Sequence, residues 1–531
     1  MAVNEVMTRE TENICVSSPF VGGVNSVFRK KNPDVLVDCA KKNQLKKTLT
    51  AFDLIVLGIG AVIGAGIFAL SGTAAAGSSG HLGAGPAVII SLILAAVACS
   101  FSALCYAEFA AMIPVAGSAY TYTYATLGEI AAWFIGWMLM LEYAIGNITV
   151  ASSWSGYMMS FLSGFKGVLP EFLTSPPLWL VNQYSIAVEK YHAAGLDPMQ
   201  HIPHLGPIPI CIDIPAMLII AAVTGFLYVG IKESTRMAFV MVVIKLLVIT
   251  AFIGAGAFYV APENWVPFAP NGFKGIITGA YLLFFAYIGF DAVSTAAEET
   301  KNPQRDLPIG IIGTLAICTL LYIGVGAVLT GMVPMNQIDT HAPIAAAMQS
   351  VGLDKFAGFI SLGAIAGLAS VLLVLQLGCS RILYSMSRDN LLPKMFSEIH
   401  PKFSTPHKST LILGGGIAFL TLFLDLNAAA ELCNIGTFTA FLMVCVGVLV
   451  LRKVDPDRPR PFKVPFAPVT PILGALICLG LIIFGLPSVK TLVLFGAWIA
   501  VGMTFYFIYG FKRATREAVA NFAIEDQINN K

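Results

Sequence analysis

Charge is what this chain has least of. Only 12% of its 531 residues are Asp, Glu, Lys or Arg, against about a quarter in soluble domains. That shortage, with 57% hydrophobic residues and a mean hydropathy of +0.79, excludes a soluble globular domain and makes the chain a polytopic membrane protein. Paired cysteines are missing too. The ten cysteines are scattered without CxxC spacing, which gives neither a disulfide framework nor a thiolate metal site, and they read as small apolar residues. Of seven histidines, His192, His201 and His204 share the segment 163-212, but without cysteines or a regular ligand interval no metal is expected. No nucleophile–base constellation is visible, so neither catalysis nor a cofactor is expected. Net charge is only +2. The basic run 41-47 (KKNQLKK) reads as a membrane-flanking segment near anionic lipid rather than a nucleic-acid site.

What the chain has in quantity is long apolar runs. Stretches able to span about 17 to 25 residues of bilayer fall near 52-77, 85-113, 130-162, 213-231, 237-260, 273-297, 308-331, 356-384, 409-425, 429-451, 467-486 and 490-511, which predicts twelve spans. The first opens behind a polar tail, so no cleavable leader is expected. If both termini are cytoplasmic, the outer loops hold only Lys166, Lys190, Lys274, Lys355 and Lys490, and Lys245 lies within span 5. Every other basic residue then falls inside, which supports the span order and a multi-pass plasma (inner) membrane protein. The expected divisions are a cytoplasmic tail 1-49, a first unit 50-261 (spans 1 to 5, with the outer loop 163-212), a second unit 272-451 (spans 6 to 10), spans 11 and 12 in 465-511, and a cytoplasmic tail 512-531.

Few residues inside the spans carry chemistry. Span 1 contains GIGAVIGAGIF, with Gly58, Gly60, Gly64 and Gly66. Such a run is either a small-residue face for close helix packing or a broken helix whose freed amides and carbonyls line a polar site. Glu108, near the end of span 2, reads as an interfacial carboxylate bonded locally. Glu142, in WMLMLEYAIGNITVASSW, is central to span 3; insertion there costs about 2.5 to 3.5 kcal/mol, so it needs a structural partner or a substrate or proton role. Lys245, in FVMVVIKLLVITAF, is too deep to snorkel easily. Loss of solvation would let it gain and lose a proton during a cycle; otherwise it is a fixed cation holding carbonyls of a broken neighbour. Span 6 repeats the theme of span 1: Gly289 and Asp291 interrupt an aromatic helix in FFAYIGFDAVSTAAEETKNPQRDLP. Interruptions at spans 1 and 6 are what an inverted repeat of five plus five helices places in corresponding positions. In span 8, Ser361, Ser370 and Gln376 read as packing contacts.

Together GIGAVIGAGIF, YAEFAAMIPVAGSAYTYTY, LEYAIG, the span 5 lysine, FAYIGFDAVSTAAEETKNPQRDLPIGI and SRDNLLP resemble the cationic amino acid transporter family, a branch of the amino acid, polyamine and organocation transporters. The resemblance runs over about 48-511 and is closest to twelve-span bacterial members. It implies an all-α, leucine-transporter-type fold with discontinuous spans 1 and 6 plus two further spans. It also implies alternating-access import of an L-amino acid, cationic or small neutral, coupled to protons and independent of sodium; exchange without protons, or sensing without transport, stays open. By motif position the substrate carboxylate goes to Ile63, Gly64, Ala65 and Gly66, and its ammonium to the carbonyls of Ile59, Gly60, Phe285, Ala286 and Ile288. Phe285 resembles the aromatic lid. Lys245 resembles the lysine that stands in the place of a sodium ion and would couple the proton, bridging spans 1 and 8. Glu142 is the candidate partner for a cationic side chain. Ala65 stands where relatives often have Ser or Thr.

Overall fold

The computed structural model describes residues 20-21, 27-32, 47-78, 81-115, 118-206, 208-230, 234-403, 405-424, 426-484 and 488-516. Helix occupies each of the twelve apolar stretches. Among the described residues eight helices are long and apolar enough to cross a bilayer by themselves. A bent pair and shorter helices occupy the rest.

The first span is the bent one. Helix α1a (Ala51–Val62) starts at a reciprocal cap: the Asp53 carboxylate accepts from the Thr50 amide (2.9 Å) and the Thr50 hydroxyl caps Asp53. It stops at Ile63, whose backbone is extended. Helix α1b resumes as a wide π turn at Gly66–Leu70 and runs on through Ser71–Ala76, and the halves are bent by 48°. The alternatives left open for the glycine run are thereby resolved in favour of a break.

Then come α2 (Val88–Met112), α3 (Glu129–Ser163), α4 (Ile214–Val229) and α5 (Ser234–Gly256). The sixth span is α6a (Gly272–Leu283), two 3-10 segments, Phe284–Tyr287 and Phe290–Glu299, and between them Ile288 and Gly289. Gly289 has φ +114°, a conformation that strains any residue with a Cβ, and a ten-residue 3-10 run is far longer than the usual three or four residues. After it follow α7 (Pro303–Met332), α8 (Asp354–Arg388), α9 (His407–Leu420), α10 (Leu426–Val454), α11 (Val469–Phe484) and α12 (Val489–Phe505). This is the leucine-transporter-type arrangement expected: an all-α membrane protein interrupted in its first and sixth spans.

The long helix α3 lies against α8 and α10, while α7 lies against α2 and α1a. The sixth span is almost wholly enclosed by protein, whereas α12 is mostly uncovered and apolar, as a lipid-facing helix must be. The α12 helix is held to α3 by tryptophans: Trp137 stacks on Trp498 at 4.4 Å and donates to its carbonyl (2.8 Å). Of the polar residues of α8, Gln376 makes a contact between helices, donating to the Thr224 hydroxyl of α4 at 2.7 Å, whereas Ser370 bonds the Gly367 carbonyl of its own helix.

Buried carboxylates fasten the ends. Glu108 is buried and accepts from Arg452 Nε (3.0 Å) and from the Val464 amide (2.7 Å), so instead of the local bonding expected of it the carboxylate ties α2 to the end of α10 and the segment after it. Glu129 pairs with Arg29 and accepts from Tyr124 (2.8 Å) and Tyr506 (3.0 Å). The amides of Glu129 and Ile130, which have no partner within α3, donate to the carbonyls of Arg29 and Val27 at 3.0 Å. On the opposite face Glu431 accepts from Thr491 (2.6 Å) and the Ser488 amide (3.1 Å) and meets His81 at 2.5 Å. The segment 163-212 folds into short helices around a small core of Ala187, Tyr191, Ile202 and Cys211.

Candidate functional site

The two breaks meet. A Cβ on Gly66 would overlap the backbone of Ala286, so the start of α1b and the middle of the sixth span touch with no side chain between them. One residue binds both: the Tyr322 hydroxyl of α7 lies 3.0 Å from the carbonyl oxygen of Val62 and 2.9 Å from that of Ala286, close enough to donate to either. Each is a carbonyl that an interrupted helix leaves without its usual partner.

A small, partly open cavity of about 20 Å³ lies beside this junction, enough for one or two waters. Gly64, Ala65 and Gly66 form one side, and Phe285 and Ile288 of the sixth span another. Glu142 faces it from α3 and Val371 and Leu375 from α8. A bound amino acid would require the walls to part.

The Gly64 carbonyl already accepts from Ile67 (3.2 Å) and Phe68 (3.1 Å), closing the first turn of α1b. The amides of the turn itself have no preceding carbonyl in the helix, and the positive end of the helix dipole adds to their pull on an anion.

Lys245 is completely buried and donates to the carbonyls of Gly60 (2.7 Å) and Ile63 (3.0 Å), at the end of α1a. No carboxylate pairs with it among the described residues. Its stem needs space on α8: a Cβ on Gly367 would come within 2.8 Å of Lys245 Cγ. The expected bridge between spans 1 and 8 is therefore asymmetric, with hydrogen bonds to span 1 and packing against span 8.

Glu142 is fully buried, and neither of its carboxylate oxygens has a hydrogen-bond partner among the described residues. Cys433 Sγ of α10 contacts its backbone carbonyl at 3.2 Å. One residue on, Tyr143 donates to Asp291 Oδ2 at 2.6 Å, fastening α3 to the 3-10 part of the sixth span.

Of the residues singled out in the sequence, Gly64, Ala65, Gly66, Glu142, Phe285 and Ile288 line the cavity, whereas Ile59, Gly60, Ile63 and Ala286 do not. The carbonyls of Gly60 and Ile63 are taken by Lys245, and that of Ala286 is within reach of Tyr322. Sequence reasoning missed Gly146 and Val150, although they lie four and eight residues after Glu142 and so share its helical face. It also missed Val371, Leu375 and Tyr322, which look in the sequence like any apolar or aromatic position of a span.

Comparison with known proteins shows the family. Residues 49–509 match the family model described as amino acid permease. The chain is 45% identical to a branched-chain amino acid permease of Bacillus subtilis (strain 168), over 92% of this chain and 98% of the relative. It is equally similar, 45% over 92% of this chain and 99% of the relative, to a methylthioribose transporter of the same organism. With the chloroplastic cationic amino acid transporter 9 of Arabidopsis thaliana it shares 40% identity over 78% of this chain and 68% of the relative. A model that covers most of the chain, and relatives aligned over nearly their whole length, establish that this chain belongs to the amino acid permease family of the amino acid, polyamine and organocation transporters.

Proposed function

We propose that the protein imports an L-amino acid by alternating access, driven by protons and without sodium. The observation that carries this reading is the lysine at the break: Lys245 donates to the Gly60 and Ile63 carbonyls where α1a ends. While charged, it holds the end of α1a against α5. Loss of the proton weakens both bonds, freeing α1a to move and the site to open on one side. The substrate carboxylate goes to the turn Gly64–Gly66 at the start of α1b, and its ammonium to carbonyls of the two breaks, Phe285 and Ile288 among them. Phe285 closes over it. Because the Gly60 and Ile63 carbonyls already serve Lys245, we assign those residues, with Ile59 behind them, to coupling rather than to direct contact with substrate.

The substrate side chain would then face Val150, Val371, Leu375 and Glu142. The aliphatic wall favours a small or branched neutral amino acid, in keeping with the branched-chain permease among the relatives. Glu142 favours a cationic one, in keeping with the cationic amino acid transporters. A protein at the plasma membrane with both termini cytoplasmic fits the distribution of basic residues.

The test is uptake into proteoliposomes with and without an imposed pH gradient. Wild-type protein should accumulate labelled amino acid against its gradient, and Lys245→Ala should exchange it without accumulating it. Accumulation by Lys245→Ala at the wild-type rate would refute proton coupling through this residue. Counterflow with no response of the wild type to pH would favour obligatory exchange.

A further inference from the structure

A second cavity shares no lining residue with the transport site and lies where α1a and α7 begin. It is a groove of about 670 Å³ between the start of α7 and the segment joining α10 to α11. We propose that it is a binding site for an anionic phospholipid.

One wall is a stripe on α7. Arg305, Pro308, Ile309 and Ile312 are spaced to share one helical face, and the stripe runs about 10 Å along the axis from the charged residue into the apolar span. Ile309 and Ile312 remain 40% and 39% exposed. The other wall is Pro461 and Phe462. That wall is built in advance, because Glu108 accepts from the Val464 amide and from Arg452, and Arg460 donates to the carbonyls of Asp455 (2.7 Å) and Pro456 (2.8 Å). A groove walled by a fixed linker keeps its shape when empty.

The polar end is cationic. Arg305 lines the groove and is exposed, and no carboxylate pairs with it among the described residues. Arg460 is occupied by the linker and by Glu108, 3.5 Å away, so Arg305 is the charge on offer. No carboxylate lines the groove. A basic group at the head of an apolar channel, at the depth where lipid headgroups meet hydrocarbon, suits a phosphate carrying acyl chains. A soluble phosphate would leave the isoleucine stripe uncovered. A zwitterionic lipid would fill the stripe but bring no net charge to Arg305. The reverse face of α7 supports α1a, Thr314 donating to the Ile55 carbonyl at 3.3 Å, so an occupant here braces the helix on which the moving half of the first span rests.

Native mass spectrometry of the delipidated full-length protein, offered equimolar phosphatidylglycerol and phosphatidylcholine with identical acyl chains, tests this. Wild-type protein should prefer phosphatidylglycerol by roughly fivefold, the effect of one basic side chain near an anionic surface. Arg305→Gln should bring the ratio to about one, Arg305→Lys should restore it, and Ile312→Trp, which fills the channel, should reduce retention of both lipids. Phosphatidylglycerol should also raise the melting temperature of the wild type and not that of Arg305→Gln. Equal retention of the two lipids by wild-type protein, an unchanged ratio in Arg305→Gln, or displacement of the lipid by inorganic phosphate would overturn the proposal.

Discussion

At the scale of single residues, the site depends on which atoms may approach which. Gly66 is the sharpest case, because a methyl group there would meet the backbone of Ala286, which cannot rotate aside as a side chain could. Gly66→Ala should therefore abolish uptake in proteoliposomes, whereas Gly254→Ala, where an added Cβ meets nothing within 4 Å, should leave uptake intact. Tyr322→Phe removes the hydroxyl within reach of two buried carbonyls. An unsatisfied buried polar group costs about 1 to 3 kcal/mol, so a lower melting temperature and slower uptake are expected, and unchanged values of both would show that the tyrosine is incidental. The role proposed for Glu142 is in selectivity. Removing one partner of a buried charge pair costs roughly 3 to 5 kcal/mol, more than a hundredfold in affinity. If the protein carries arginine, Glu142→Gln should weaken arginine binding far more than alanine binding, measured by displacement of a labelled substrate. Equal losses would make Glu142 a structural residue, and a wild type that ignores arginine would assign the cavity to neutral substrates. Glu142 and Lys245 were legible in the sequence because a charge within a span needs an explanation. Tyr322 was not, since a tyrosine in an apolar helix carries no such demand.

At the scale of elements, the interruptions were readable and their partners were not. Four glycines within nine residues of the first span, and Gly289 followed by Asp291 in the sixth, each weaken a helix where no water can compensate, so local sequence betrays them. That Lys245 would bond Gly60 and Ile63, rather than bridge evenly to α8, depends on how three helices pack, which no local pattern encodes. The segment 163-212 was opaque for the same reason: its core of Ala187, Tyr191, Ile202 and Cys211 comes from several short pieces without a shared period. It also brings Lys190 towards His341, which lies between α7 and α8. Burial, and then the nearby Lys190 ammonium, push the His341 imidazole down to about 4, against an opposing pull from Asp339. Lys190 is itself lowered by burial, opposed by Asp339, Asp213 and Glu189. A histidine depressed in the folded state stabilises fully above its unfolded value of about 6.5 and loses that contribution as pH falls towards 4, at most ~3 kcal/mol here. The melting temperature of wild-type protein should fall across that window, and His341→Gln should flatten part of the fall. Parallel curves for the two proteins would assign the acid sensitivity to the carboxylates alone.

At the scale of the whole molecule, one cation and several fixed ends divide the labour. Glu108, Glu129 and Glu431 anchor helix ends through partners on other elements. The junction of the breaks, by contrast, is held by three hydroxyl or ammonium donors, Tyr322, Tyr143 and Lys245, acting on carbonyls and one carboxylate. Only the lysine among these is a cation, and the proposed coupling rests on it. Its position also bears on sodium. A sodium ion at the end of α1a would need the carbonyls of Gly60 and Ile63, and Lys245 already occupies both at 2.7 and 3.0 Å. Two positive charges about 4 Å apart at an effective dielectric near 20 repel by on the order of 4 kcal/mol, about a thousandfold against joint occupancy. Replacing sodium by choline should thus leave uptake unchanged, while dissipating the proton gradient should remove accumulation. A steep dependence on sodium in wild-type protein would mean that the ammonium leaves these carbonyls during the cycle and that the ion takes its place, which the same substitution, Lys245→Ala, would then expose as a gain in sodium affinity.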